Sequence, residues 1–308
     1  MRATVTRSPA RRKVCTVGLR RANPARTSPT ETQGSALDNQ TDIAAKGPTP
    51  PLAELKHPIG WPLFIAQFIT VALAYLIASI LPTLPVLIET VMAALENPGA
   101  EPVEPQLGSA LVVSTVVASA VAGILVAWLW LRREGRWKEA VRLEAPANWR
   151  STLGWAALGL GGTLLIFTVG ARLAEAMGLG APDPTFILEL VTESPALLAL
   201  WIVAVAWFAA GFGEEVLYRG FLMDRLERLS GLRGRPWAVL VIQALLFGLP
   251  HAYQGMGGMM VTAMVGLFLG WIRNRCGGNL WAAIIAHAAV DTVSMSLAYA
   301  DKLGWMTG

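Results

Sequence analysis

The stretch that decides the fold is GFGEEVLYRGFL, residues 211–222. It ends an apolar run, SPALLALWIVAVAWFAA, residues 194–210. Two adjacent acids, Glu214 and Glu215, therefore sit at the end of a segment built for hydrocarbon. A charge at membrane depth costs roughly 2.5–3.5 kcal/mol on insertion scales, so each needs a partner or a task. On a helix, residues four apart share a face, which places Glu215 to pair with Arg219. Glu214 points about 100° away, toward Ala210, Gly211 and Tyr218. Small residues on that face let another helix come close. For this stretch alone, a helix leaving the bilayer with its acids among headgroups is the alternative.

Composition supports the membrane. The 308 residues are 54% hydrophobic and 15% charged, with a mean hydropathy of +0.49. That is too apolar for an ordinary soluble domain. The net charge of +4 comes from the first 30 residues, which hold eight Lys/Arg and no acid. The remainder has 17 Lys/Arg against 21 acids, a net of −4. The basic balance belongs to a tail and does not point to nucleic acid. Residues 1–55 lack the apolar core of a secretory signal and read as a disordered extension, leaving 56–308 as one membrane domain. The two cysteines, Cys15 and Cys276, imply neither a disulfide framework nor a cysteine metal site.

From Trp61 onward, apolar segments of spanning length recur. They are roughly 61–81, 110–131, 153–171, 196 into the acidic stretch, a fifth after Pro236, 258–272 and 280–299. A shorter apolar piece, 84–95, is a re-entrant, interfacial or additional segment. The expected fold is an all-α polytopic bundle of about seven spans, within six to eight. Arg132, Arg133, Arg136, Lys138, Arg142 and Arg150 fill the connection after the second span. Arg225, Arg228, Arg233 and Arg235 follow the fourth, and Arg273 and Arg275 the sixth. The stretch 83–108 carries Glu89, Glu96, Glu101 and Glu104 without a basic residue, and 249–257 carries no charge. This alternation places the N-terminus in the cytoplasm. The expected setting is a bacterial inner membrane.

Three histidines are present. His57 precedes the first span, has no acid near it, and is expected to play no chemical part. His251 ends the fifth span in LLFGLPHAYQG, with Phe247 one turn earlier. His287 lies inside WAAIIAHAAVDTV, with Asp291 four residues on and on the same face. A lone intramembrane histidine is as well explained by a helix–helix hydrogen bond. A carboxylate beside an imidazole additionally fixes its tautomer and raises its basicity, as catalytic and metal sites need.

Depth tests whether these groups meet. The turn between the fourth and fifth spans centres near 232–233, and Glu214 and His251 lie 18–19 residues to either side. At ~1.5 Å per residue both are about 28 Å from the tip. His287 is roughly 15 Å from the turn at 274–279. With residues 223–235 projecting into the cytosol, all three are expected at one level. A glutamate, two histidines and an aspartate in a low-dielectric cavity suit hydrolysis by activated water. Glutamate acts as general base, and histidines position the water, stabilise an oxyanion or hold a metal such as Zn²⁺.

The segments EEVLYRGFL, LFGLPH and HAAVD resemble the three motifs of the CPBP family of intramembrane proteases. That family includes the type II CAAX prenyl endopeptidases and the Abi, or bacteriocin-processing, proteins. The first motif, two glutamates and an arginine, is matched by Glu214, Glu215 and Arg219. The second, a phenylalanine and a histidine four apart, is matched by Phe247 and His251. The third is matched by His287 and Asp291, where prenyl-endopeptidase members usually carry asparagine in place of the aspartate. The resemblance covers about residues 195–300. It implies a helical bundle with a membrane-embedded metalloendopeptidase site, with Glu214, Glu215, Arg219, His251, His287 and Asp291 as catalytic residues. His251 and His287 are the implied ligands of any zinc, and a metal-free Glu/His mechanism is also compatible. Implied substrates are peptides or proteins, prenylated or bacteriocin-like, met within the bilayer.

Two other classes are compatible with these residues: a non-catalytic scaffold or bacteriocin self-immunity protein, and a proton-coupled transporter using Glu and His as a relay. No pair of Gly/Pro-broken helices in matching halves supports the transporter. The topology has a direct check. In a cysteine-free background, a single cysteine introduced near residue 140 should resist an impermeant thiol reagent in intact cells and react after permeabilisation. Labelling from outside would reverse the orientation.

Overall fold

A computed structural model describes residues 57–96 and 107–306. The basic stretch 1–55 and the acidic residues Glu101 and Glu104 lie outside them. Among the described residues the chain is helical, with two isolated β-bridges and no strand. Six segments are long and apolar enough to cross a membrane, so the chain is an integral membrane protein.

The first of these, α1, is Trp61–Glu96. It is bent by a short 3-10 turn at Leu81–Thr83, where Pro82 cannot supply its backbone N–H. The apolar piece 84–95 is the last third of this helix, continuous with it, and not a separate segment. Next come α2, Ser109–Arg133, and α3, Trp149–Ala176, whose first turn is capped by the Asn148 side chain accepting from the Ser151 N–H at 3.2 Å. Helix α4 is Pro195–Arg228. Ser194 caps it, and Pro195 occupies its first turn, where a missing N–H costs nothing.

Within α4, Trp201–Leu222 is wound as a π-helix. Its backbone bonds run from i to i+5, a wider winding than the ~3.6 residues per turn expected for an α-helix. The turn to the next helix uses Gly231 and Gly234, both at positive φ. The 40-residue apolar segment Pro236–Arg275 doubles back on itself. Its arms are α5, Pro236–Gly248, and α6, Gly255–Arg275, joined by a 3-10 turn at Leu249–Gln254. Gly248 lies by Ala263, Gly266 by Ala244 and Phe247, and Gly270 by Leu240 and Gln243. The pairs run in opposite order, so the arms are antiparallel. The last helix, α7, is Trp281–Lys302. Six apolar segments thus contain seven arms, and the expected fifth, sixth and seventh spans are α5, α6 and α7.

Small residues set the packing. A β-carbon at Gly211 would lie 2.7 Å from that of Ala288, and one at Gly159 would lie 2.5 Å from that of Ala286. Glycine at these two places lets α7 press against α4 on one side and α3 on the other. Helix α2 covers the next side of α4, and α1 lies outside α2, where Trp130 Nε1 donates to Thr70 Oγ1 at 2.9 Å. Helix α6 packs on α3, and α5 returns to α4. The helices α4, α7, α3, α6 and α5 therefore form a closed ring.

The charged end of α4 departs from expectation. Asp224, Arg225 and Arg228 are buried, not projected into solvent. Glu134, just past α2, takes Arg225 and Arg228 at 2.7 Å each and the Gln67 amide at 2.7 Å. Asp224 takes Arg136 at 2.8 Å and Arg225 at 2.6 Å. Burial is tolerable because every charge meets an opposite one. The partners are some ninety residues apart in the chain, which a loop-charge reading cannot anticipate.

Burial pushes the Glu134 carboxyl up, but the Arg228 hydrogen bond, the Arg225 charge and the Gln67 bond together hold it below the usual range. A carboxyl whose folded-state value is depressed stabilises above its unfolded value and loses that contribution as pH falls through the folded one. Melting temperature should therefore be flat above about pH 5 and fall below about pH 4, near the unfolded glutamate value. Glu134→Gln should melt lower at neutral pH and show a shallower acid decline. An unchanged acid profile would remove the network from the stability argument.

Candidate active site

Glu215 and Arg219 are wholly buried, and Arg219 Nη1 lies 2.9 Å from Glu215 Oε1. The pair survives the wider winding of α4, since residues four apart still fall on one side. The same oxygen lies 2.9 Å from His287 Nδ1 on α7. A carboxylate oxygen accepts, so Nδ1 is assigned the hydrogen and Nε2 is the nitrogen on the side of Glu214 and Asp291. Arg219 also reaches outward: Nη2 donates to the Gly266 carbonyl on α6 at 3.4 Å, and its guanidinium sits 4.0 Å over the Phe247 ring. One ion pair on α4 thus touches α5, α6 and α7.

Glu214 is placed differently. Its Oε2 lies 3.9 Å from His287 Nε2, and Asp291 Oδ2 lies 3.9 Å from the same nitrogen. Neither distance is a hydrogen bond. Side-chain exposure is 22% for Glu214 and 28% for Asp291, against 0% for Glu215. Glu214 and Asp291 are therefore partly exposed, whereas Glu215 is fully buried. The bond to His287 expected from Asp291 is made by Glu215 instead. The cause is the close approach of α7 at Gly211 and Ala288, which lays His287, the residue before Ala288, against α4.

His251 stands on the 3-10 turn that follows α5. Its own backbone leaves helical geometry, at φ −86 and ψ 15. Its Nδ1 lies 3.2 Å from the Phe247 carbonyl, which can only accept, so Nε2 again faces away. Phe247 is the common wall. Its ring centroid lies 5.6 Å from His251, 6.0 Å from His287 and 5.0 Å from Tyr218. Among the described residues no hydrogen bond or ion pair joins His251 to Glu214. Equal depth assumed two straight arms, and the turn at Leu249–Gln254 breaks one of them.

Sequence reasoning placed Tyr218 on the Glu214 face but missed Tyr75 and Tyr253. Tyr75, Tyr218 and Tyr253 are all within electrostatic reach of Glu214. They are three of the four tyrosines in the chain. Tyr253 stacks near His251 at 6.0 Å, and its hydroxyl accepts from Gln254 Nε2 at 2.9 Å. Tyr75 comes from α1, beside Gly123 of α2. A phenol inside an otherwise apolar span was the available signal. His57, outside the bundle's interior, engages through its backbone carbonyl, which accepts from Arg228 Nε at 2.7 Å.

Among the described residues, no three His, Cys, Asp or Glu side chains stand together as a set that could hold a metal ion. A catalytic zinc ordinarily takes three protein ligands. The residues present do not fit one, and no step below passes through a metal.

Arg219→Ala should strand the Glu215 charge in a dry site. Breaking a buried pair from one side costs about 3–5 kcal/mol. Lower yield of folded protein is expected together with lost activity, measured by size-exclusion recovery and thermal melting in detergent. A variant that folds and melts like wild type would separate Arg219 from the scaffold.

The family model described as type II CAAX prenyl endopeptidase Rce1-like matches residues 196–293. That range runs from the start of α4 into α7 and contains all six residues singled out from the sequence. Neither a curated protein nor a solved structure matches the chain. Over residues 196–293, with the paired glutamates and arginine on α4, the histidine after α5 and the His/Asp pair on α7, the chain is similar to the type II CAAX prenyl endopeptidases.

Proposed function

We propose that this protein is an intramembrane endopeptidase in which Glu214 activates water against a peptide carbonyl. The observation that carries it is the division of labour between adjacent glutamates: Glu215 is buried and locked to Arg219 and His287, while Glu214 has no cation in hydrogen-bond contact and is partly exposed. A general base must be free to take a proton, and Glu214 is the carboxylate so placed.

The chemistry follows from the groups present. Water held at Glu214 attacks the scissile carbonyl carbon, and Glu214 takes the proton released as the new C–O bond forms. The carbonyl oxygen gains negative charge and receives an N–H from His287 in its protonated form. Glu215 fixes the other nitrogen of that ring, so no reorientation is needed as charge develops. Asp291 balances the imidazolium from the far side. His251 supplies a second imidazole Nε2 to orient the water or the substrate. The tetrahedral intermediate collapses, the C–N bond breaks, and Glu214 returns its proton to the leaving nitrogen. The products are a carboxylic acid and an amine, and the carboxyl proton then passes to the amine to leave a carboxylate and an ammonium.

The family match supports a peptide or protein substrate met in the bilayer, with prenylated C-terminal segments the first class to try. The positive charges gathered after α2, α4 and α6 support a cytoplasmic N-terminus in a bacterial inner membrane.

Glu214→Gln keeps size and hydrogen bonding but removes the proton acceptor. It should fold and melt like wild type while losing about 10²-fold or more in kcat on a peptide library that includes prenylated cysteine peptides. A chelator should leave the wild-type rate unchanged; inhibition restored by Zn²⁺ would replace this mechanism with a metal-dependent one. Wild-type turnover by the glutamine variant would sink the enzymatic role of Glu214 and favour a non-catalytic scaffold.

A further inference from the structure

A second polar site lies away from the catalytic cavity. It sits at the end of the bundle where α1 begins and α2 and α4 finish. A cavity of about 580 Å³ opens there, lined by Leu63, Trp130, Arg133, Arg136, Glu139 and Arg228, among others. Its floor is the buried lattice that holds the end of α4. The segment before α1 closes one side: the Ile59 N–H donates to the Arg228 carbonyl at 3.0 Å, and the Ser230 N–H to the Ile59 carbonyl at 3.1 Å.

Among the described residues the charge in this lattice is unbalanced. Glu134 and Asp224 meet Arg136, Arg225 and Arg228, two carboxylates against three guanidinium groups. Arg133 and Glu139 at the rim add one of each sign and leave the excess unchanged. Both oxygens of Glu134 are used, one by Arg225 and one by Arg228. Arg136 lines the cavity, and its Nε is buried without a hydrogen-bond partner. A buried donor left unpaired costs about 1–3 kcal/mol, more for a charged group. An anion in the cavity would meet both deficits.

The walls indicate what kind of anion. Leu63 belongs to the outer face of α1 and is exposed. Trp130 has its N–H fixed on Thr70, and Arg133 lies over its ring at 5.8 Å. A tryptophan beside an arginine at a helix end is the arrangement found where hydrocarbon gives way to headgroups. Arginine suits phosphate because its planar fork presents paired donors. Basic pockets between spanning helices recognise phospholipid headgroups by this chemistry.

We propose that this cavity binds a phosphate-bearing anion, with Arg133, Arg136 and Arg228 as its donors and Leu63 and Trp130 as the wall for an adjoining acyl chain. The headgroup of an anionic phospholipid meets both halves of the site. The site is independent of the peptidase reading, because none of its residues reaches the Glu214 cavity.

The test is lipid retention by the purified full-length protein in neutral detergent, followed by native mass spectrometry. Phosphatidylglycerol should be retained at one per chain, at least about tenfold more tightly than phosphatidylcholine, which corresponds to a 1.4 kcal/mol difference. Arg133→Gln, a rim change expected to leave melting unaltered, should weaken retention several-fold. Arg133→Gln combined with Arg136→Gln should weaken it at least about tenfold, the order expected for two headgroup-facing cations. Inorganic phosphate should compete only at far higher concentration; if it binds as tightly as the lipid, the same donors serve a free anion. Indifference between the two lipids together with no effect of phosphate would overturn the proposal. So would full phosphatidylglycerol retention by a well-folded double variant.

Discussion

A carboxylate with no solvent exposure, sited on a membrane-spanning helix, is the constraint around which the candidate site of this protein is arranged. Glu215 can be ionised there only if cations and donors come to it. Arg219 arrives from one turn along its own helix, and His287 from across the bundle. Each of these then imposes a demand of its own. Arg219 needs a carbonyl and an aromatic face, which Gly266 and Phe247 supply. His287 needs α7 to lie against α4, which requires glycine at 211 and alanine at 288. Tight packing is the consequence of satisfying one charge, and removing any participant leaves another uncompensated.

The same helix is fixed a second time at its far end. Asp224 and Arg225 are buried about ten residues beyond Glu215, roughly 15 Å along an ordinary helical rise. There the partners come from the segment just after α2 and from Gln67 on α1. Helix α4 is thus clamped by ionic contacts at two levels, with Glu214 adjoining one of them and bound to neither. A site is held to geometry when its neighbours are locked by packing and by second contacts. Glu214 gains a fixed position from Glu215 next to it without itself being neutralised by a partner.

Much of this was legible in the residues. The apolar periodicity and the basic connections sufficed for an all-helical bundle, and four-residue spacing sufficed for the Glu215–Arg219 pair. Spacing also put His287 and Asp291 on one face. It could not say that Glu215 would take the imidazole nitrogen, because that depends on how closely α7 approaches α4. The charges of 224–228 were misplaced for the same reason: an arginine in a loop and one in a buried lattice look alike until Glu134, some ninety residues earlier, is brought beside them. Tyr75 shows a third kind of blindness, since nothing along α1 hints at Glu214.

The break at Leu249–Gln254 shows why this site lies where it does. Inside hydrocarbon every backbone group needs an internal partner, so irregular backbone survives only where it is covered by protein or lines a polar cavity. Pro250 lacks an N–H, and His251 departs from helical geometry, so an unbroken fifth helix cannot form. An imidazole on a straight helix is bound to that helix's face, whereas His251 on a turn caps the end of α5 and borrows the Phe247 carbonyl to fix its ring. The turn that costs the bundle a regular helix is therefore the feature that brings a second histidine against Phe247, within one aromatic ring of His287.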